Sequence, residues 1–138
     1  MTIQEIQDEI IEEFAALDDW MDRYQLLIDM GGEMEPLPAS CKTEQNLIDG
    51  CQSRVWLVCD RQADGTLVFR AESDALIVKG IVMLLLRVLS GHTPQQILEA
   101  DLYFVDAIGL RDHLSPTRSN GLVAMLKPIK LYAMAYGS

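Results

Sequence analysis

Three cysteines and two histidines are the residues of this chain best suited to nucleophilic, redox or metal chemistry, and their settings differ. Cys51 lies in Gly50-Cys51-Gln52-Ser53-Arg54, a polar turn that runs straight into the apolar stretch Val55-Trp56-Leu57-Val58. The β-branched and aromatic residues predict a strand from Gln52 to about Asp60. Gly50 has no Cβ, so the backbone can turn sharply there or let another chain come close. Cys51 is therefore expected at the mouth of the strand, where a thiol can be reached. Cys59 is in step with Val55 and Leu57 at the strand period of two and reads as a small core residue. Cys41, among Pro36, Pro38, Ser40 and Lys42, belongs to an expected surface loop. Neither forms a CxxC pair with Cys51. An odd count without a signal peptide speaks against a disulfide framework and for a reducing cytoplasm.

His92 and His113 have no carboxylate, cysteine or second histidine three or four residues away, so neither forms a helical metal-ligand pair. A zinc site from Cys51, Cys59 and His113 would need cysteines at opposite ends of one strand to converge, which the spacing disfavours. No GxxxxGK[ST], Rossmann glycine pattern or HExxH is present. A Cys51–His113 nucleophile pair stays open, because the fold can bring distant residues together. The second informative stretch is His113-Leu114-Ser115-Pro116-Thr117-Arg118-Ser119-Asn120-Gly121-Leu122. It gathers polar groups, a guanidinium and unsatisfied backbone N–H donors at one helix start. That combination suits an anion such as a thiolate or persulfide, and equally suits ordinary capping with Arg118 in solvent.

The elements that must position these residues follow from periodicity. Thr2 and Glu5 form a capping box, with Ile3, Ile6, Ile10, Phe14 and Leu17 at helical spacing behind it. A second helix begins near Asp19, carries Trp20, Tyr24, Leu27 and Ile28, and is expected to stop at Gly31-Gly32. A proline-containing loop spans Glu33 to Thr43; Glu44 to Gly50 is compatible with a short extended or helical piece. Asp64-Gly65 is a hairpin signal, so the first strand should pair antiparallel with Thr66–Ala71. Ser73 or Asp74 then caps a long apolar helix to Gly91. Lys79 and Arg87 interrupt it, leaving too few uncharged residues for a membrane span of ~20. Thr93-Pro94-Gln95-Gln96 caps a short helix. Leu102 to Ile108 fits a helical turn or a strand, and Ser115-Pro116 opens a last helix that Pro128 should bend.

At 138 residues the chain suits one domain, residues 1–138, and 49% hydrophobic against 23% charged residues marks a globular protein rather than a disordered one. The order helix, helix, hairpin, helices is α+β, a small antiparallel sheet covered by helices. A formal net charge of -10 repels phosphate backbones, which argues against nucleic acid and anionic membranes as partners. The charge is uneven: carboxylates crowd the chain up to Glu35 with Arg23 the sole cationic side chain, whereas Arg111, Arg118, Lys127 and Lys130 oppose only Asp112 after Gly109. The acidic helix face reads as solvated surface or as a patch that steers a partner protein.

Gly50-Cys51-Gln52-Ser53-Arg54-Val55-Trp56, Asp74-Ala75-Leu76-Ile77-Val78-Lys79-Gly80 and the His113–Leu122 stretch, in that order and spacing, closely resemble the SufE family of sulfur-acceptor proteins. The resemblance implies a SufE/NifU-like fold with a small three-stranded antiparallel sheet, one strand more than the residues place. It implies that Cys51 accepts sulfane sulfur from the persulfide of a SufS/CsdA-type cysteine desulfurase, whose pyridoxal phosphate belongs to that partner, this chain having no cofactor or metal. A scaffold that assembles iron–sulfur clusters is the implied downstream acceptor, and a homodimer the implied state in isolation. The supporting residues implied are Gly50, Gln52, Ser53, Arg54, His113, Arg118 and Ser119. Arg118 and Arg54 are the candidates for lowering the Cys51 pKa, with His113 ranked below Arg118. The chain is then a carrier and activator without turnover of its own. Competing readings are a passive iron–sulfur scaffold, which normally needs several cysteine ligands, and a thiol hydrolase using Cys51 and His113.

Overall fold

The computed structural model describes residues 2–48, 54–110 and 116–137, with the side chains of 116–123 left out. Helix α1 (Ile3–Ala15) starts at the expected capping box, with Thr2 Oγ1 accepting from Glu5 N at 3.0 Å and Glu5 answering to Thr2 N. It buries Ile3, Ile10 and Phe14 and also Gln7, whose amide donates to the Asp101 carbonyl and accepts from Phe104 N. Helix α2 (Trp20–Gly31) is capped by Asp19, as its sequence suggested. Its end is not a left-handed glycine stop, because Gly32 has φ -64. The glycines answer to packing instead: a Cβ on Gly31 would lie 2.7 Å from Lys79 Cβ, and one on Gly80 would collide with the Leu27 backbone. These positions let α2 lie directly on α3 (Leu76–Leu89).

Strand β1 (Val55–Arg61) pairs antiparallel with β2 (Leu67–Ser73), with Leu57 opposite Ala71 and Trp56 opposite Glu72. Gly65 at φ 88 closes the turn as the αL residue of a three-residue loop, and Gln62 N reaches Thr66 O at 2.8 Å. The third strand is not present among the described residues, where the sheet has two strands. In its place Leu47 makes a single bridge to Trp56, with Ile48 N donating to Val55 O at 2.8 Å and Leu57 N to Asn46 O at 2.9 Å. On its upstream side the pairing ends there because Asn46 N, the group that would face Leu57 O, is spent on a turn bond to Thr43 O, which curls the chain away from β1.

Helix α3 begins one or two residues later than expected. Ala75 is its N-cap, without a side-chain bond, and Ser73 Oγ accepts from Ala75 N at 3.4 Å. Leu84, Leu85, Val88 and Leu89 are buried. Helix α4 (Pro94–Glu99) carries the expected Thr93/Gln96 capping box. The ambiguous stretch after it resolves as helix α5 (Phe104–Ala107), ended by Gly109 at φ 76. The last helix, α6 (Pro116–Tyr136), continues through Pro128. Alternation in the strands turns Val55, Leu57, Phe69 and Ala71 toward α3 and α6 in the core, and leaves Trp56, Arg70 and Glu72 on the other face. No helix among the described residues is long and apolar enough to cross a membrane.

Candidate functional site

Cys51, Gly50, Gln52, Ser53 and His113 lie outside the described residues, as do the side chains of Arg118 and Ser119, so the site is defined by its frame. The two residues that flank the Cys51 segment are fixed to each other by the Ile48 N–Val55 O bond, and both are buried. Arg54 is exposed immediately before β1.

Upstream, the strap from Glu33 to Asn46 is fastened to the outer face of the sheet. Glu72 is the fastener: Oε1 accepts from Leu37 N at 2.7 Å and Oε2 pairs with Lys42 Nζ at 2.7 Å. The Lys42 ammonium also stands 4.8 Å from the centroid of the Trp56 ring, Trp56 being the cross-strand partner of Glu72. The bond from Lys42 holds the Glu72 carboxyl below its ordinary pKa, helped by the Leu37 N–H. Pro38 and Ala39 carbonyls close a 3-10 turn, Ala39–Cys41, and Asn46 Nδ2 donates to the Cys41 carbonyl at 2.8 Å. Sequence reasoning missed this fastening. The hairpin signal at Asp64-Gly65 already pairs Trp56 with Glu72, but nothing local points Lys42 at them.

The third part of the frame is the direction of α6. Met125 and Ile129 share one small apolar cavity with Ile48 and Val55, whereas Tyr132 sits edge-on to Phe69, the partner of Cys59, at 6.3 Å. Further along, Lys130 Nζ donates to the Ile97 and Leu98 carbonyls, and Gly137 approaches Pro94. The helix therefore runs parallel to β1. Its start at Pro116 lies toward the end of the sheet occupied by Ile48 and Val55, so the positive end of a 21-residue helix faces that end.

The other cysteines behave differently. Cys59 is half-buried rather than fully in the core, and burial, reinforced by the neighbouring Asp60 charge, pushes its thiol up to about 11. Cys41 is half-exposed on the 3-10 turn. Among the described residues no three His, Cys, Asp or Glu side chains cluster as metal ligands. The zinc triad considered from sequence includes Cys51 and His113 and so falls outside them. A further anchor is Arg23, whose guanidinium donates to the carbonyls of Leu17 at 2.9 Å and Ile108 at 3.1 Å while lying 5.2 Å from the Trp20 ring centroid. It ties the α1–α2 joint to the turn just before the His113 segment.

A small α+β domain in which the residues bracketing the cysteine segment in sequence, Ile48 and Val55, are bonded to each other beside a two-stranded hairpin is the class of protein that this frame defines. Residues 8–133 match the family model for SufE, the Fe-S metabolism associated domain, and the chain belongs to that family. The fold is also similar to the solution structure of a hypothetical protein from Thermus thermophilus, with a TM-score of 0.77 at 24% identity over 95% of each chain. The protein is thus associated with iron–sulfur metabolism.

Proposed function

We propose that this chain is the sulfur acceptor and activator of a pyridoxal-phosphate cysteine desulfurase, taking sulfur on Cys51 and passing it on for iron–sulfur cluster assembly. The observation that carries the reading is family membership over residues 8–133; it is supported by the Ile48 N–Val55 O bond, which joins the residues bracketing the Cys51 segment in sequence at the sheet end toward which α6 starts. In the transfer, the Cys51 thiolate attacks the outer sulfur of the donor's Cys–S–SH. A new S–S bond forms on Cys51, the donor S–S bond breaks, and the donor cysteine leaves as a thiolate, with no net oxidation. Both the attacking thiolate and the persulfide product are anions. The α6 N-terminus, Arg118 and Arg54 supply the positive potential that favours them, and His113 and Ser119 complete the polar surroundings. Gly50 is the hinge on which the Gly50–Ser53 turn, including Gln52, swings out to the donor; amide exchange at Gly50 unchanged by the desulfurase would count against that motion.

The pyridoxal phosphate is the desulfurase's. An iron–sulfur scaffold complex is the onward acceptor, the free chain is a homodimer, and the compartment is the reducing cytoplasm. The test is intact-protein mass spectrometry after incubation with a cysteine desulfurase and cysteine. The wild-type chain gains about one sulfur atom (~32 Da) that maps to Cys51, and Cys51→Ser gains none. Sulfur on Cys41, or on no residue, defeats the assignment.

A further inference from the structure

The free side of β2 carries main-chain groups that the described residues leave unused. Val55 O accepts from Ile48 and Leu57 N donates to Asn46, so these two residues face away from β2. In an antiparallel ladder their partners Ser73 and Ala71 then face away from β1. The same alternation applies to Phe69 and Leu67. Leu67 is closed off by Gly91 and His92, and Phe69 N by Ser90 Oγ at 2.9 Å. Beyond that point the Phe69 carbonyl and both the N–H and carbonyl of Ala71 have no hydrogen-bond partner among the described residues.

These groups open onto a groove of about 730 Å³ between β2, α3, the second half of α2 and the strap. Its apolar lining is Leu26, Met30, Met34, Leu37, Met83 and Leu86. Three methionines give it an adaptable surface, suited to side chains of varied shape. Its rim is acidic. Asp29, Glu33 and Glu35 are exposed there, while the two rim cations are already engaged, Arg87 with Glu9 and Glu13 and Arg70 with Asp60.

We propose that this edge and groove dock an extended segment of a partner protein, added as a strand beside β2, with apolar side chains at alternate positions and Lys or Arg beside the rim. The unpaired peptide groups call for an extended backbone, the methionine lining for apolar side chains, and the rim for positive charge. A second copy of this chain fits poorly, because pairing β2 with β2 would set two acidic rims against each other on a chain of net charge -10. The proposal is independent of Cys51, so it stands or falls separately from sulfur transfer.

The experiment is amide NMR of the full isotope-labelled chain titrated to millimolar concentration with acetyl-Lys-Val-Leu-Val-Lys-amide. Controls are the same peptide N-methylated at alternate residues and a version with glutamate in place of lysine. Expected are shifts at Ala71, Met30 and Met83, Ala71 exchange slowed about tenfold, neither with the controls, and binding weakened about tenfold in a Glu33→Gln, Glu35→Gln chain. Three results would overturn it: no response at Ala71, equal response to the N-methylated peptide, or Ala71 protection that rises with protein concentration in the absence of peptide, which assigns the edge to a second copy.

Discussion

Replacing Gly80 with alanine tests how α2 and α3 are held together. A Cβ there would fall 2.6 Å from the carbonyl carbon and 2.9 Å from the Cα of Leu27, and closer still to the Leu27 carbonyl oxygen. Carbon atoms pack best at ~3.5–4.0 Å, so the helices must part by roughly 1 Å. The obstructing atoms are backbone inside a helix, with the Leu27 side chain fully buried, and they have no rotamer to retreat to. Overpacking of this kind costs ~1–3 kcal/mol, and alanine recovers up to ~1 kcal/mol over glycine in a helix interior. Because the clash is with fixed backbone, the cost falls in the upper part of that range, ~2–3 kcal/mol, and the expected net loss is about 1–2 kcal/mol. At ~2.1 cal/mol/K per residue, 138 residues give an unfolding entropy near ~0.29 kcal/mol/K, so Tm should fall by roughly 3–7 °C. Thermal unfolding followed by circular dichroism reads this directly. Gly31→Ala meets Lys79 Cβ and the Gly80 nitrogen at the same crossing, so the double variant should lose less than the sum of the two, the gap having been opened once. A Gly80→Ala chain as stable as wild type, or a strictly additive pair, would refute the close-approach account.

Glu72→Gln should loosen the strap, seen as faster exchange of the Leu37 amide with the rest of the core unchanged; equal exchange in both chains would show that Glu72 is not the fastener. In the wild type the Glu72 pKa is held below its ordinary 4.5, so its contribution is fully present above that value and is lost as pH falls through the lower folded value. Leu37 protection should therefore weaken only below about pH 4.5. Cys59, with its pKa pushed up to about 11 from 9.0, should be alkylated ~100-fold more slowly at neutral pH than in the unfolded chain, its rate rising with pH until about 11. A rate plateau near pH 9 would contradict the burial argument. Arg23→Met strands the Leu17 and Ile108 carbonyls and should cost about 1–3 kcal/mol in denaturant unfolding, with Arg23→Lys recovering part of the loss; no recovery would mean that the fork of two bonds is not what matters.

Much of the frame was legible in the chain because its signals are local. The Thr2 and Thr93 capping boxes, the Asp19 cap and the Asp64-Gly65 turn each depend on residues within about one turn of one another, and each formed where its side chains called for it. The SufE blocks were legible for a different reason: they are fixed residue strings, and the family match over residues 8–133 bears out the family they pointed to. Reading failed where a choice depended on distant neighbours. The glycines at the end of α2 looked like a stop signal, but Gly31 is required by Lys79 and Gly80 on another helix. Among the described residues the third strand is reduced to one bridge, because a turn bond to Thr43 takes the Asn46 N–H that would continue the pairing. Lys42 meets Trp56 and Glu72 only after the strap has folded across the sheet. The sequence by itself determined the capped helices, the hairpin and which cysteine stands in the SufE motif. Tertiary structure alone decided which way α6 points, what fastens the strap, and which edge of β2 stays open, because each is set by contacts between segments that share no local hydrogen bond and meet only through packing.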